Sequence, residues 1–80
     1  MARIIDGTEM NLIGSNVRHF RRRRKMSQQK LSDQLEILGV YVCRGSISRI
    51  EDKSRTVTDI ELFALAKVLD VSIGEFFEEI

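Results

Sequence analysis

Eighty residues make one domain with a single modest core, and 42% hydrophobic with 31% charged residues is an ordinary soluble, globular composition. No apolar run approaches the roughly 20 residues of a membrane span, the N-terminus lacks a signal-peptide pattern, and the one cysteine, Cys43, excludes an internal disulfide, so a reducing, cytoplasmic setting is expected. The net charge of +1 hides a segregation: residues 10–58 hold eleven Lys and Arg against four Asp and Glu, net +7, whereas residues 59–80 hold one against six, net −5, as suits a chain that meets a polyanion on one side.

Residues 1–10 show no clear period and read as an N-terminal tail, with the folded domain over 11–80. Asn11 can cap a first helix running to about Lys25, with an apolar stripe of Ile13, Val17 and Phe20. Arg21, Arg22, Arg23, Arg24 and Lys25 close that helix as a run of cations. Ser27 is a good N-cap for a second helix whose face is Leu31, Leu35 and Leu38, and Gly39 ends it because glycine accepts positive φ. Val40, Tyr41 and Val42 are too few for a sheet and read as an extended loop.

A short third helix is expected from about Arg44 to Asp52. Ile47 and Ile50 point inward, and Arg44, Ser46, Ser48, Arg49 and Lys53 stay available outside. Thr58 with Glu61, and Ser72 with Glu75, have capping-box spacing and open a fourth and a fifth helix. The fourth carries Leu62, Leu65, Ala66 and Leu69 inward; the fifth carries Ile73, Phe76, Phe77 and Ile80. Five short helices with short connections imply a compact all-α domain. No nucleophile–base pair, Gly-rich phosphate loop or metal-ligand cluster is present, so neither an enzyme nor a bound cofactor or metal is expected. His19 has no Cys or His partner at ligand spacing and reads as an exposed helix residue.

A capped helix, a turn, and a short helix with two buried isoleucines form a helix-turn-helix plan, whose second helix fits the major groove. In its residues the chain resembles the Cro/repressor-type, or Xre, family. The matching positions are Ile13-Gly14, Val17 and Phe20-Arg21 in the first helix, and Met26-Ser27-Gln28 with Leu31 in the second. They continue through Ile47-Ser48-Arg49-Ile50-Glu51 in the third, and Leu62 through Val71-Ser72 with Leu65-Ala66-Lys67 and Leu69. The resemblance spans roughly residues 11–78. It implies a lambda-repressor-like five-helix domain that binds double-stranded operator DNA as a bacterial or phage-encoded transcriptional regulator, a repressor by expectation. A protein-interaction module, such as an antitoxin or accessory subunit, is the alternative use of the same fold.

The resemblance also implies roles. Arg44, Gly45, Ser46 and Arg49 match positions that meet base edges. Gln28 and Gln29, Ser48, and the loop Lys53, Ser54, Arg55 and Thr56 match positions that meet phosphates. Arg21 and Glu51 match a structural ion pair between the first and third helices. The fourth helix has surplus apolar residues in Ile60, Phe63 and Ala64, which either the fifth helix covers with Phe76 and Phe77 or a second subunit covers; homodimers are the family habit, and Ile60, Phe63, Ala64, Phe76 and Phe77 are then the expected contact. Three departures stand out: the turn between the second and third helices (37–43) is five residues longer than in the compact motif, Lys53 stands where glycine is frequent, and Thr56 where proline is frequent. Cys43, at the N-cap of the third helix, occupies a place where a thiol pKa falls.

Overall fold

The computed structural model describes residues 7–79; Ile80 of the expected fifth helix and residues 1–6 of the expected tail lie outside them. Four α-helices follow in order, α1 (Gly14–Arg23), α2 (Gln28–Ile37), α3 (Arg44–Glu51) and α4 (Asp59–Leu69), and a 3-10 turn, Ile73–Phe77, closes the chain. The described residues contain no strand. The fifth element therefore differs from the sequence expectation in kind. It has the expected capping box, with Ser72 Oγ accepting from Glu75 N–H, but it is five residues of 3-10 helix.

Local chemistry explains the boundaries. Ser27 Oγ accepts from the Lys30 N–H, and Thr58 and Glu61 complete a reciprocal capping box. The Asn11 side chain serves α1 from further out than expected: its Oδ1 accepts from the N–H groups of both Ile13 and Gly14, and the helix begins at Gly14. All four α-helices stop the same way. An N–H two or three positions past the helix end returns to the carbonyl five residues earlier, as in Met26 to Arg21, Val40 to Leu35, Ser54 to Arg49 and Val71 to Ala66. The residue before each of these carries positive φ: Lys25 57°, Gly39 83°, Lys53 62° and Asp70 56°. Only Gly39 does so without a Cβ, so the other three hold strain of about 1 kcal/mol each.

The core collects Val17, Leu31, Leu35, Ile47, Ile50, Leu65, Leu69 and Phe76, all fully buried. Each such side chain stabilises the fold by about 1.5–3 kcal/mol relative to exposure. α3 packs against α1 and α2, α4 against α2 and α1, and the 3-10 turn against α1 and α4. Phe20 and Phe76 meet edge to face with centroids 5.9 Å apart. Asn16, buried in α1, points its Nδ2 at the carbonyls of Glu75, Phe76 and Glu78 at 3.3, 2.7 and 2.6 Å and so ties the C-terminal turn to α1.

Two residues expected at a dimer contact belong instead to this core. Ala64 is 2% exposed and Phe76 0%. α4 lies centrally and is covered over more than the stripe of Leu62, Leu65 and Leu69. In the 3-10 turn, Phe76 and Phe77 point about 120° apart, so one enters the core while the other leaves it. Leu38, expected on the inner face of α2, is the C-cap and is half exposed.

Candidate nucleic-acid interface

α3 is held from beneath by Ile47 and Ile50, each 1% exposed, so its opposite side is free. Arg44, Gly45 and Arg49 are exposed there, and Ser46 and Ser48 are half-buried at its margins. Arg49 Nη2 donates to Ser46 Oγ at 3.1 Å, which folds the guanidinium back along the helix. A Cβ on Gly45 would lie 3.6 Å from Arg49 Nη1, an ordinary contact, so nothing within the domain demands glycine at this position. Cys43 is exposed at the N-cap, with Sγ 3.4 Å from Ser46 Oγ. Hydrogen bonding to the Ser46 side chain, then to its backbone, holds the thiol below its usual range.

The turn before α3 is long but ordered. Gly39 N–H bonds to Glu36 O and Val40 N–H to Leu35 O, while Ser32 Oγ donates to Val42 O at 2.7 Å. Val42 is 3% exposed and plugs the turn into the core. The five extra residues thus leave α3 seated on α2, with Ile37 and Tyr41 displayed outside at 75% and 78% exposure.

Between α1 and α3 lies a polar cluster centred on Glu51, whose side chain is fully buried. Arg21 approaches it side-on, Nε to Oε2 at 2.6 Å and Nη2 to Oε1 at 3.0 Å, and its Nη1 donates to Met26 O. Arg18 Nε and Gln28 Nε2 also donate to Oε1, at 3.3 and 3.1 Å. Gln28, matched to a phosphate contact, therefore also holds the Glu51 carboxylate. Gln29 Nε2 bonds to Asp33 on the exposed side of α2.

The loop after α3 gathers the other phosphate candidates. Lys53 Nζ lies 3.7 Å from Glu9, Ser54 Oγ donates to Arg49 O, and Thr56 is exposed. Arg55 is clamped by both oxygens of Glu61 at 3.0 and 2.7 Å. No sequence rule covers that pair, because residues six apart across a loop have no fixed spatial relation. Asn11 was also legible only in part. Its acceptor half reads as a cap, but its Nδ2 spans to Ile50 O at 3.0 Å and Arg55 O at 2.8 Å, fastening the lead-in to this loop. Met10 N–H adds a bond to Lys53 O.

Burial disfavours the charged form of Glu51, yet Arg21, Gln28 and Arg18 outweigh it and keep the carboxyl below its usual value of 4.5. For Glu61 the Arg55 hydrogen bonds lead in the same direction. A carboxyl whose pKa is lower folded than unfolded contributes stability that is fully present above its unfolded pKa and is lost as pH falls through the folded value. The melting temperature is therefore expected to hold from about pH 7 to about pH 5 and to fall below about pH 4.5. In thermal melts across pH, Glu51→Gln should flatten that acid limb; an acid limb identical to the parent's would remove Glu51 as its source.

The sequence matches the helix-turn-helix family model over residues 17–76. The chain belongs to the helix-turn-helix family, Xre/Cro type. Its coarse function follows from the family, whose members are DNA-binding transcription regulators. The helix-turn-helix fold is also similar to the high-resolution crystal structure of the restriction-modification controller protein C.AhdI from Aeromonas hydrophila. The TM-score is 0.71 at 26% identity, covering 81% of this chain and 91% of that one. No curated protein matches. Among the described residues of this helix-turn-helix domain, no His, Cys, Asp and Glu group could hold a metal, and no helix is long and apolar enough to cross a membrane.

Proposed function

We propose that the domain occupies an operator as a repressor, laying α3 in the major groove. The observation that carries this reading is the outer face of α3. Arg44, Gly45, Ser46 and Arg49 lie along it, and two buried isoleucines fix its orientation. Arg44 and Arg49 suit guanine, whose O6 and N7 accept both arms of a guanidinium, and Gly45 lets the backbone come close. Ser48, Gln28 and Gln29, with the loop Lys53, Ser54, Arg55 and Thr56, meet the flanking phosphates. To do so, Gln28 turns from Glu51, and Arg55 offers the edge not held by Glu61.

A second copy of the chain completes the reading. Of the apolar residues first assigned to such a contact, Ile60, Phe63 and Phe77 are 66%, 57% and 55% exposed. Phe77 lines an apolar hollow of about 280 Å³ with Met10, Leu12, Val57 and Leu62, and Phe63 lines another with Ile73 and Val71. Two protomers joined there would present two α3 helices to half-sites about one helical turn apart.

The test is selection of sites from a randomised duplex pool at about 150 mM salt, using the parent, Arg44→Ala and Arg49→Ala. An inverted-repeat motif is expected. Each substitution should relax one position per half-site, at about 1–3 kcal/mol of lost discrimination. Equal, motif-free and salt-labile binding by all three would overturn the reading and turn attention to a protein partner.

A further inference from the structure

We infer that the turn joining α1 to α2 is a second phosphate-binding site, formed by Arg22, Arg24 and Lys25 and separate from the contacts of α3 and its loop. This rests on the DNA-binding reading above. The three side chains are exposed, and among the described residues none has a carboxylate within ion-pair distance. Four of the cations flanking α3 are partly spent. Arg18 and Arg21 serve Glu51, Arg55 serves Glu61, and Lys53 leans to Glu9. Placing positive charge at the C-terminus of α1 favours the helix dipole. That effect reaches Arg22 in the last turn and Arg24 at the C-cap, but it does not account for three solvated cations in one short segment with no carboxylate of the described residues beside any of them.

The turn is also built to stay in place. Lys25 sits at φ 57°, with its N–H bonded to Arg22 O and the Met26 N–H bonded to Arg21 O. Arg21 then locks the segment twice, through Nη1 to Met26 O and through its side-on pair with Glu51 on α3. The cations are thereby indexed to the recognition helix by a buried bridge. Three residues beyond Lys25 comes Gln28, at the N-terminus of α2, within about 10 Å of chain. A DNA strand running past Gln28 spaces its charges so that the next phosphates fall within reach of long side chains on this turn. Arg23 is different: its guanidinium is engaged over the Phe20 ring, 4.8 Å from the centroid.

The experiment measures binding to the selected duplex and to an unrelated one across a salt series for the parent, Arg22→Gln/Arg24→Gln/Lys25→Gln, and a control. The control, Arg23→Gln/Lys67→Gln, removes two cations that are each engaged over an aromatic ring. The turn variant should lose about 2–3 from the log–log salt slope and about 10- to 100-fold in affinity near 150 mM salt, equally for both duplexes. Its melting temperature should match the parent's, and the control's slope should change by less than about 0.5. A turn variant with the parent's slope, or a control that loses as much slope per charge, would overturn the inference and leave the function of α3 untouched. A parent with no preference between the duplexes would instead sink the DNA reading and this site with it.

Discussion

Glu51→Ala is expected to lower the stability of the domain by about 3–5 kcal/mol, the largest effect of any single exchange at the interface between α1 and α3. The carboxylate accepts from Arg21, Arg18 and Gln28. Its removal leaves Arg21, only 8% exposed, without a counter-charge. The desolvation cost of that guanidinium then goes uncompensated, which is why deleting one partner of a buried pair is worse than replacing both. For a domain of 60–100 residues, 1 kcal/mol moves the melting temperature by about 4–8 °C, so a fall of roughly 15–30 °C should appear in a thermal melt. The replacement of both, Arg21→Met with Glu51→Leu, should recover much of it. A Glu51→Ala melt within a few degrees of the parent would show that the bridge carries little of the fold.

Gly14→Ala should produce the second large effect, by steric means. A Cβ at Gly14 would overlap the carbonyl oxygen of Ile50, and would come within 2.9 Å of Lys53 Cγ and 3.0 Å of Glu51 O. Two of the three obstacles are backbone at the C-terminal end of α3, which side-chain rotation cannot clear. Alanine normally gains about 1 kcal/mol over glycine inside a helix, but the forced separation of α1 from α3 costs about 1–3 kcal/mol or more. A net loss is expected in denaturant unfolding, together with weaker DNA binding if α3, the helix displaced, is the one that meets the groove as proposed. A Gly14→Ala protein more stable than the parent would mean that the two helices part freely.

Much of this fold was legible because its signals are local. Ser27, Thr58 and Ser72 cap the elements they were expected to open, and Gly39 ends α2 at positive φ. The family match also rests on local runs such as Ile47 through Glu51. Four things were hidden, because each depends on how elements and loops are arranged in space and not on a local run. Ala64 and Phe76 could be placed only once α4 was known to be central. The closing element keeps its capping box, but five residues of 3-10 geometry present fewer faces than an α-helix would. Arg55 meets Glu61 across a loop, and Asn11 reaches residues 39 and 44 positions away. In the candidate interface, the sequence supplied residue types and an order of positions. Which side chains are already engaged, such as Gln28 on Glu51, is a property of packing alone.

The bonds of Asn11 and Met10 to residues 50, 53 and 55 also change what the start of the domain is. The segment around Met10 is attached to the same edge as the loop after α3. A peptide or tag joined upstream of it is therefore tethered beside the surface proposed to meet DNA. An acidic tag there would act as a local competitor for Lys53 and its neighbours, and a basic one as an added clamp. For engineering, the two ends of this small domain are electrostatically unequal places to build.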